Sequence, residues 1–296
     1  MIRQPIVAGQ FYDDRKEELL KQIEHCFKHK MGPGSLPKKQ REGKVMGVIS
    51  PHAGYMFSGP CAAHAFKAVA EAEFPDLYIC LGPSHVGFHK TCFSMDDWET
   101  PLGTAFTDDE FGRILENNAI DINPHPHKEE HSIEVQIPFL QYISGESSKG
   151  SKDKQEKLRF VPIMVAEEDW QDAADRIRKA IKEYEKDGRS VCIITSSDFT
   201  HYGQNYGFVP FTEDLKENMR NLDKGAIEKI KKLDAEGFMK YCKETGATIC
   251  GKAPIAAMLS ILKGRAESVE LLKYYTSGDL LDDYTNAVGY AGISLR

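Results

Sequence analysis

The sequence predicts an α/β domain whose sheet is largely parallel or mixed and covered by helices. Short, continuous, apolar and β-branched runs recur at residues 45–50, 77–81, 160–165 and 191–195, each of the length of a buried strand. Amphipathic stretches at helical spacing lie between them, and turn or polar residues follow each run. That alternation is the pattern of a sheet whose strands are covered on their faces by helices.

Taken in order, residues 15–27 form a first helix and 45–50 a first strand. Residues 61–72 follow Ser58-Gly59-Pro60 and set Ala62, Ala63, Phe66 and Val69 on one helical face. Strand 77–81 comes next, then 160–165. Residues 172–185 turn Ala174, Ile177, Ile181 and Tyr184 inward before strand 191–195. Helices over 215–233 and 253–262 precede closing strands at 271–276 and 288–295. Residues 29–44, with Gly32-Pro33-Gly34-Ser35, and 144–157, almost entirely Ser, Gly, Lys, Asp and Glu, read as surface loops. Neither divides the chain, so residues 1–296 read as one domain.

The 296 residues carry 38 Lys+Arg against 45 Asp+Glu, a net charge of −7. With 41% hydrophobic residues the chain has material for a sizeable core. A mildly acidic balance without a basic stripe argues against nucleic acid or an anionic membrane as partner. A small-molecule substrate or a peptide or protein ligand is the expected partner. No apolar run approaches the roughly 18 residues of a spanning helix, and Met1-Ile2-Arg3-Gln4-Pro5 lacks the apolar core of a signal peptide. The expectation is a cytoplasmic protein. Seven scattered cysteines without a CxxC read as buried thiols, Cys250 excepted.

The chemistry points to the strand ends. His52 follows the first strand in Ser50-Pro51-His52-Ala53-Gly54-Tyr55, His85 the second in Gly82-Pro83-Ser84-His85, and His201 the fourth in Ser196-Ser197-Asp198-Phe199-Thr200-His201. In an open α/β sheet, ligands bind in the crevice beyond the carboxyl ends of the strands, where distant turns converge. Prolines stiffen the turns of His52 and His85, and two aimed neutral imidazoles suit a divalent transition metal. A third ligand would be a carboxylate or a thiolate. Cys250 is the candidate thiolate, just before a helix start whose dipole would lower its pKa, but spacing alone favours a buried free thiol.

Glu129-Glu130-His131-Ser132-Ile133-Glu134 is the other dense cluster. Ser132 would cap the following helix with Glu134 at its positive end, or His131 would enter the crevice as a general acid or substrate contact. Asp198 would fix the tautomer of His201 or act as a base, or else cap a helix beginning near Phe199. His125 and His127, in Pro124-His125-Pro126-His127-Lys128, are expected to be exposed rather than ligating.

These turns, together with Thr248-Ile249-Cys250-Gly251 and the N-terminal Pro5-Ile6-Val7-Ala8-Gly9-Gln10-Phe11-Tyr12, resemble the MEMO family in order and spacing, from about residue 3 to the C-terminus. The family is similar in fold to class III extradiol dioxygenases, non-haem iron enzymes. The resemblance implies a single three-layer α/β/α domain with a central mixed, largely parallel sheet and a site at the strand ends. It implies metal ligands at His52, His85 and Cys250, with Asp198 and His201 lining the same pocket. The dioxygenases use two histidines and a carboxylate, whereas a thiolate stands here, which favours softer metals. Val86 stands where many eukaryotic relatives carry a second histidine, and Phe11 where they carry tryptophan.

Three functions follow from these residues. In the first, His52, His85 and Cys250 hold Fe(II) or copper in a redox enzyme, while His201, Asp198 and His131 handle protons and substrate. In the second, the pocket is a non-catalytic peptide- or protein-binding cleft lined by Phe11, Tyr55 and Phe199. In the third, zinc activates water for hydrolysis with Asp198 or Glu130 as base.

Overall fold

In the computed structural model, which describes residues 1–38, 41–145 and 158–296, the apolar runs become neighbouring strands. The order is β1 (Ile2–Arg3), α1 (Lys16–Lys28), β2 (Gly47–Ser50), α2 (Gly59–Ala70), β3 (Leu77–Gly82), β4 (Cys92–Phe93), β5 (Asp97–Thr100) and β6 (Gly103–Thr107). Then come α3 (Asp109–Asn117), β7 (Asp121–Ile122), α4 (Ile137–Ile143), β8 (Arg159–Met164), α5 (Trp170–Tyr184), β9 (Val191–Ser196) and β10 (His201–Gly203). The chain closes with α6 (Leu215–Lys231), α7 (Ala235–Thr245), α8 (Lys252–Leu262), β11 (Val269–Thr276), α9 (Ser277–Leu281) and β12 (Asn286–Leu295).

The described strands join one sheet in the order β1-β5-β6-β8-β3-β9-β2-β12-β10, with β11 also on β12, β4 on β8 and β7 on β4. From β6 through β8, β3 and β9 to β2 every pairing is parallel. Strand β12 runs antiparallel to β2, β10 and β11. The sheet is therefore mixed and mostly parallel, as predicted.

Alternation along the strands builds two cores. Ile49, Ile79, Leu81, Ile163 and Ile193 pack with α3, α5 and α8 on one face. Val48, Tyr78, Cys80, Phe160 and Ile194 pack with α1, α2 and α4 on the other. Helices on both faces of a sheet give three layers. The register pairs Ile49 with Thr195 and Leu81 with Thr195, so β2, β3 and β9 end at one level. That common edge places the turns after Ser50, Gly82 and Ser196 side by side.

Several elements escape the sequence pattern. Helices α3 and α7 each begin at an aspartate cap: Asp108 Oδ1 accepts from Phe111 N at 2.7 Å and Asp234 Oδ1 from Gly237 N at 2.9 Å. The predicted helix over 215–233 ends at Lys231, and α7 follows within a few residues. The hairpin β5–β6 is short and only half-buried, which hides its period. Residues 29–38, 41–44 and 144–145 carry neither helix nor strand, in line with the predicted loops. Residues 39–40 and 146–157 lie outside the described residues. Cys26, Cys61, Cys80, Cys92, Cys192 and Cys242 are buried free thiols, while Cys250 is half-buried. Among the described residues no helix is long and apolar enough to cross a membrane.

Candidate metal centre

The turns after β2 and β3 deliver His52 and His85 to the common edge. The first is tied to the β9 turn: Asp198 Oδ1 accepts from His52 N at 2.8 Å, and Ser50 O accepts from Ser197 N at 2.9 Å. The segment before α4 closes over the end of β3, where a Cβ on Gly82 would stand 2.6 Å from Ile133 Cγ1 and 2.8 Å from Ser132 Oγ. Only glycine admits that approach. It brings in His131, so the ring centroids stand 5.3 Å apart for His52 and His85, 5.5 Å for His52 and His131, and 4.9 Å for His85 and His131. One ring nitrogen from each of the three lies within 4.8 Å of the other two, spacing that suits a shared metal ion.

Hydrogen bonds set the tautomers. Ser196 Oγ donates to Ser132 O at 2.6 Å and accepts from Gln136 Nε2 at 2.9 Å. Its proton is committed, so at 2.8 Å from His52 Nδ1 it accepts the ring N–H and leaves Nε2 with a free lone pair. Burial, followed by the neighbouring His85 and His131, holds His52 well below the ordinary histidine range, so this ring is neutral. His85 Nδ1 faces Glu130 Oε1 at 3.0 Å. Burial pushes the buried Glu130 carboxyl up, but the hydrogen bond and charge of His85 and the N–H groups of His85 and Ser132 outweigh it and pull it down to about 2. Burial lowers His85 in turn, yet Glu130 more than compensates and raises it. A carboxylate on Nδ1 is the arrangement that orients metal-binding imidazoles and raises their basicity.

Cys250 stands outside the three-histidine group but against it: Sγ is 3.2 Å from His52 Nε2 and 3.6 Å from Asp198 O. It precedes α8, which starts at Lys252 with Gly251 as its cap. The expected lowering of its pKa is overturned. Burial, joined by the Asp198 charge, pushes the thiol up, and the hydrogen bonds with the Asp198 backbone and the Ser197 side chain, which lower it, do not compensate.

Asp198 is buried, and no helix begins at Phe199; the chain runs on into β10. Its carboxylate takes backbone N–H groups of the His52 turn, so it bonds the metal-side turn rather than the His201 ring. Burial raises its pKa against the opposing charge of His201. The His201 tautomer is set instead by Thr248 O, 3.0 Å from Nδ1, while Thr248 Oγ1 and the His201 backbone bond each other at 2.8 and 2.7 Å. Nε2 of His201 is thereby left as an acceptor.

His52, His85, His131, Asp198 and His201 line one cavity of about 510 Å³, whose remaining wall includes Phe11, Phe57, Tyr206, Leu281, Val288 and Tyr290. Of the aromatic residues expected there, Phe11 lines it, while Tyr55 and Phe199 are buried behind it. Phe11 meets His131 edge-on at 5.0 Å.

Other expectations are corrected. Ser132 does not cap a helix: its N–H bonds Glu130 Oε1 at 2.8 Å and its hydroxyl bonds Pro83 O at 3.2 Å. Glu134 is not spent on a helix end. It accepts from Ile6 N and Val7 N, each at 3.0 Å, and from Tyr12 Oη at 2.7 Å, and pairs with Arg3 Nη1 at 2.7 Å. His125 is exposed as expected, but His127 is buried in contact with Trp98, because Arg3 pulls its turn inward. The roles of Glu130 in holding His85 and of Ser196 in holding His52 were not readable from spacing. Glu130 stood next to His131 as a hint, whereas Ser196 had no distinguishing signal.

Fold and site together define a mixed α/β protein with a strand-end histidine cluster suited to a transition metal. The chain belongs to the Memo-like family, whose model, described as Memo-like protein, matches residues 3–294. A MEMO1 family protein of Methanopyrus kandleri is 40% identical, covering 100% of this chain and 99% of that protein. One of Nitrosopumilus maritimus is 39% identical over 99% of both. A solved structure of an uncharacterized protein of Escherichia coli K12 aligns over 86% of this chain and 100% of its own, with a TM-score of 0.48 and 10% identity.

Proposed function

We propose that this chain is a metal-dependent redox enzyme whose centre takes Fe(II), with copper as the second choice, and whose ligands are His52, His85 and Cys250. The observation that carries the reading is the pair of pre-set imidazoles: Ser196 and Glu130 occupy the two Nδ1 positions, so each Nε2 is left as the ligating atom, that of His52 facing Cys250 Sγ. The sulfur of Cys250, 3.2 Å from His52 Nε2, is close to the roughly 3.5 Å separation of an S and an N bonded to one tetrahedral metal. A metal bound there supplies Lewis acidity and, as iron or copper, an electron couple.

The protein's own groups divide the remaining work. His201 Nε2 is free to take a proton from a molecule in the cavity, because Nδ1 is committed to Thr248 O. His131 lies beside His85, braced by Phe11, and contacts substrate. Asp198 ties the His52 turn to β9. The apolar wall of Phe11, Phe57, Leu281 and Val288 excludes water and accepts a small-molecule substrate.

A second reading has its own support. Leu281 and Tyr206 at the cavity wall are 60% and 45% exposed, an apolar rim suited to a peptide or protein ligand.

The test is anaerobic loading of wild type, Cys250→Ser and His131→Ala with Fe(II), Cu(I) or Zn(II), followed by oxygen uptake with His85→Ala as control. One metal per chain in wild type and His131→Ala, with a lost or reshaped site in Cys250→Ser, supports the ligand set. Loss in His131→Ala alone replaces Cys250 by His131. Colourless zinc retained without oxygen uptake moves the reading to a hydrolase, and no metal in any protein leaves the peptide-binding cleft.

A further inference from the structure

Arg3 lies at the second position of β1, far from the strand-end turns in sequence, yet it is buried beneath the candidate centre. Its guanidinium lies 4.2 Å from the centre of the Trp98 ring. Nε donates to His127 O at 2.6 Å and Nη2 to Glu130 O at 2.7 Å, while Nη1 reaches Gln4 O at 3.2 Å and pairs with Glu134 Oε2 at 2.7 Å. One side chain thus grips both ends of the segment from His127 to Glu130.

The second of those ends matters for the site. The residue whose carbonyl Arg3 holds is the same Glu130 whose carboxylate accepts from His85 N at 2.5 Å and from Ser132 N at 2.8 Å, and sits 3.0 Å from His85 Nδ1 and 3.4 Å from His131 Nδ1. With its backbone clamped, the carboxylate has one place to stand. We infer that Arg3 is a positioning residue for the metal centre, acting through Glu130 on the orientation of His85 and His131.

The guanidinium is suited to this in a way that an ammonium is not. Its planar fork serves three carbonyls and a carboxylate at fixed angles while lying flat on an indole, whereas lysine offers a single point of charge. Arg3→Lys is therefore expected to keep a cation beside Glu134 and to lose the double grip on His127 O and Glu130 O. Partners of this outer kind typically alter metal affinity by roughly 10- to 100-fold.

The inference rests on the reading of the histidine cluster as a metal site, and the experiment separates the two. Co(II) is titrated under anaerobic conditions into wild type, Arg3→Lys, Glu130→Gln, the double variant and Ile23→Val, with affinity and visible bands recorded beside the thermal midpoint. Ile23→Val destabilises α1 without touching the segment from His127 to Glu130 and reports what lost stability alone does. Failure of wild type to bind Co(II) overturns the metal reading and this inference with it. If wild type binds, Arg3→Lys is expected to bind about tenfold or more weakly with shifted bands, Ile23→Val to match wild type, and the Arg3→Lys effect to vanish in the Glu130→Gln background. Wild-type affinity and bands in Arg3→Lys, or an undiminished effect without Glu130, overturn the inference. Should Arg3→Lys not fold, Glu134→Gln, which frees Arg3 from its anchor without removing it, is judged by the same criteria.

Discussion

Glu130 grips His85 at two points, with Oε2 accepting from the backbone N–H at 2.5 Å and Oε1 3.0 Å from Nδ1. The contact fixes the height of the turn after β3 and the rotation of the ring at once. Because the carboxylate is almost fully buried, the interaction is little screened by solvent.

Glu130→Gln should weaken metal binding by roughly 10- to 100-fold. The pH dependence should move with it. His85 is raised by Glu130, so protons compete with metal as pH falls through that raised value. Without the carboxylate the competition should begin at lower pH. Isothermal titration with Zn(II) across pH 5.5 to 8, on wild type and Glu130→Gln, reads both; an unchanged affinity contradicts the role.

Glu134→Ala should destabilise the fold by about 3–5 kcal/mol, because it leaves the buried Arg3 guanidinium without its anion. It also frees the N–H groups of Ile6 and Val7 and the hydroxyl of Tyr12. Urea denaturation at pH 7 measures the loss, and a change under about 1 kcal/mol would mean that the N-terminal segment is held by packing alone.

Gly289→Ala should cost about 1–3 kcal/mol by overpacking. A Cβ there would stand 2.2 Å from Asp223 Oδ2 and 3.1 Å from Phe199 Cβ. Asp223 Oδ1 accepts from Thr200 Oγ1 at 2.6 Å and Thr200 N at 3.1 Å, so the displacement should reach His201. Denaturation, with the NMR shift of the His201 ring as local probe, checks both consequences.

His127 should make the fold acid-sensitive. Burial, then the Arg3 charge, lowers it from 6.5 to about 3, and its Nδ1 has no partner among the described residues. The unfolded chain takes up the proton first, so this contribution is whole above pH 6.5 and is lost as pH falls toward 3. At pH 5 the loss amounts to about 2 kcal/mol from this residue. His127→Gln should flatten the fall in stability between pH 7 and pH 5, measured as the shift of the urea midpoint; an equal fall in both proteins refutes it.

The sequence by itself determined the sheet, its helical cover and the strand-end turns that bear His52, His85 and His201. Their signals are local: buried strands are continuous apolar runs, covering helices repeat every three to four residues, and prolines mark the turns. What lay between long-range partners was decided by the tertiary structure. The neutral state of His52 and the raised thiol of Cys250 come from burial, which no local pattern expresses. Glu134 reads as a helix-start acid until the N-terminal segment arrives to take its oxygens. His127 reads as an exposed loop residue until Arg3, 124 positions away, draws its carbonyl inward. Ser196 and Glu130 acquire their roles only because β2, β3 and β9 end level and the turn before α4 folds over them. Spacing along a chain specifies which elements form; charge and hydrogen bonding across distant elements specify what each side chain does once they meet.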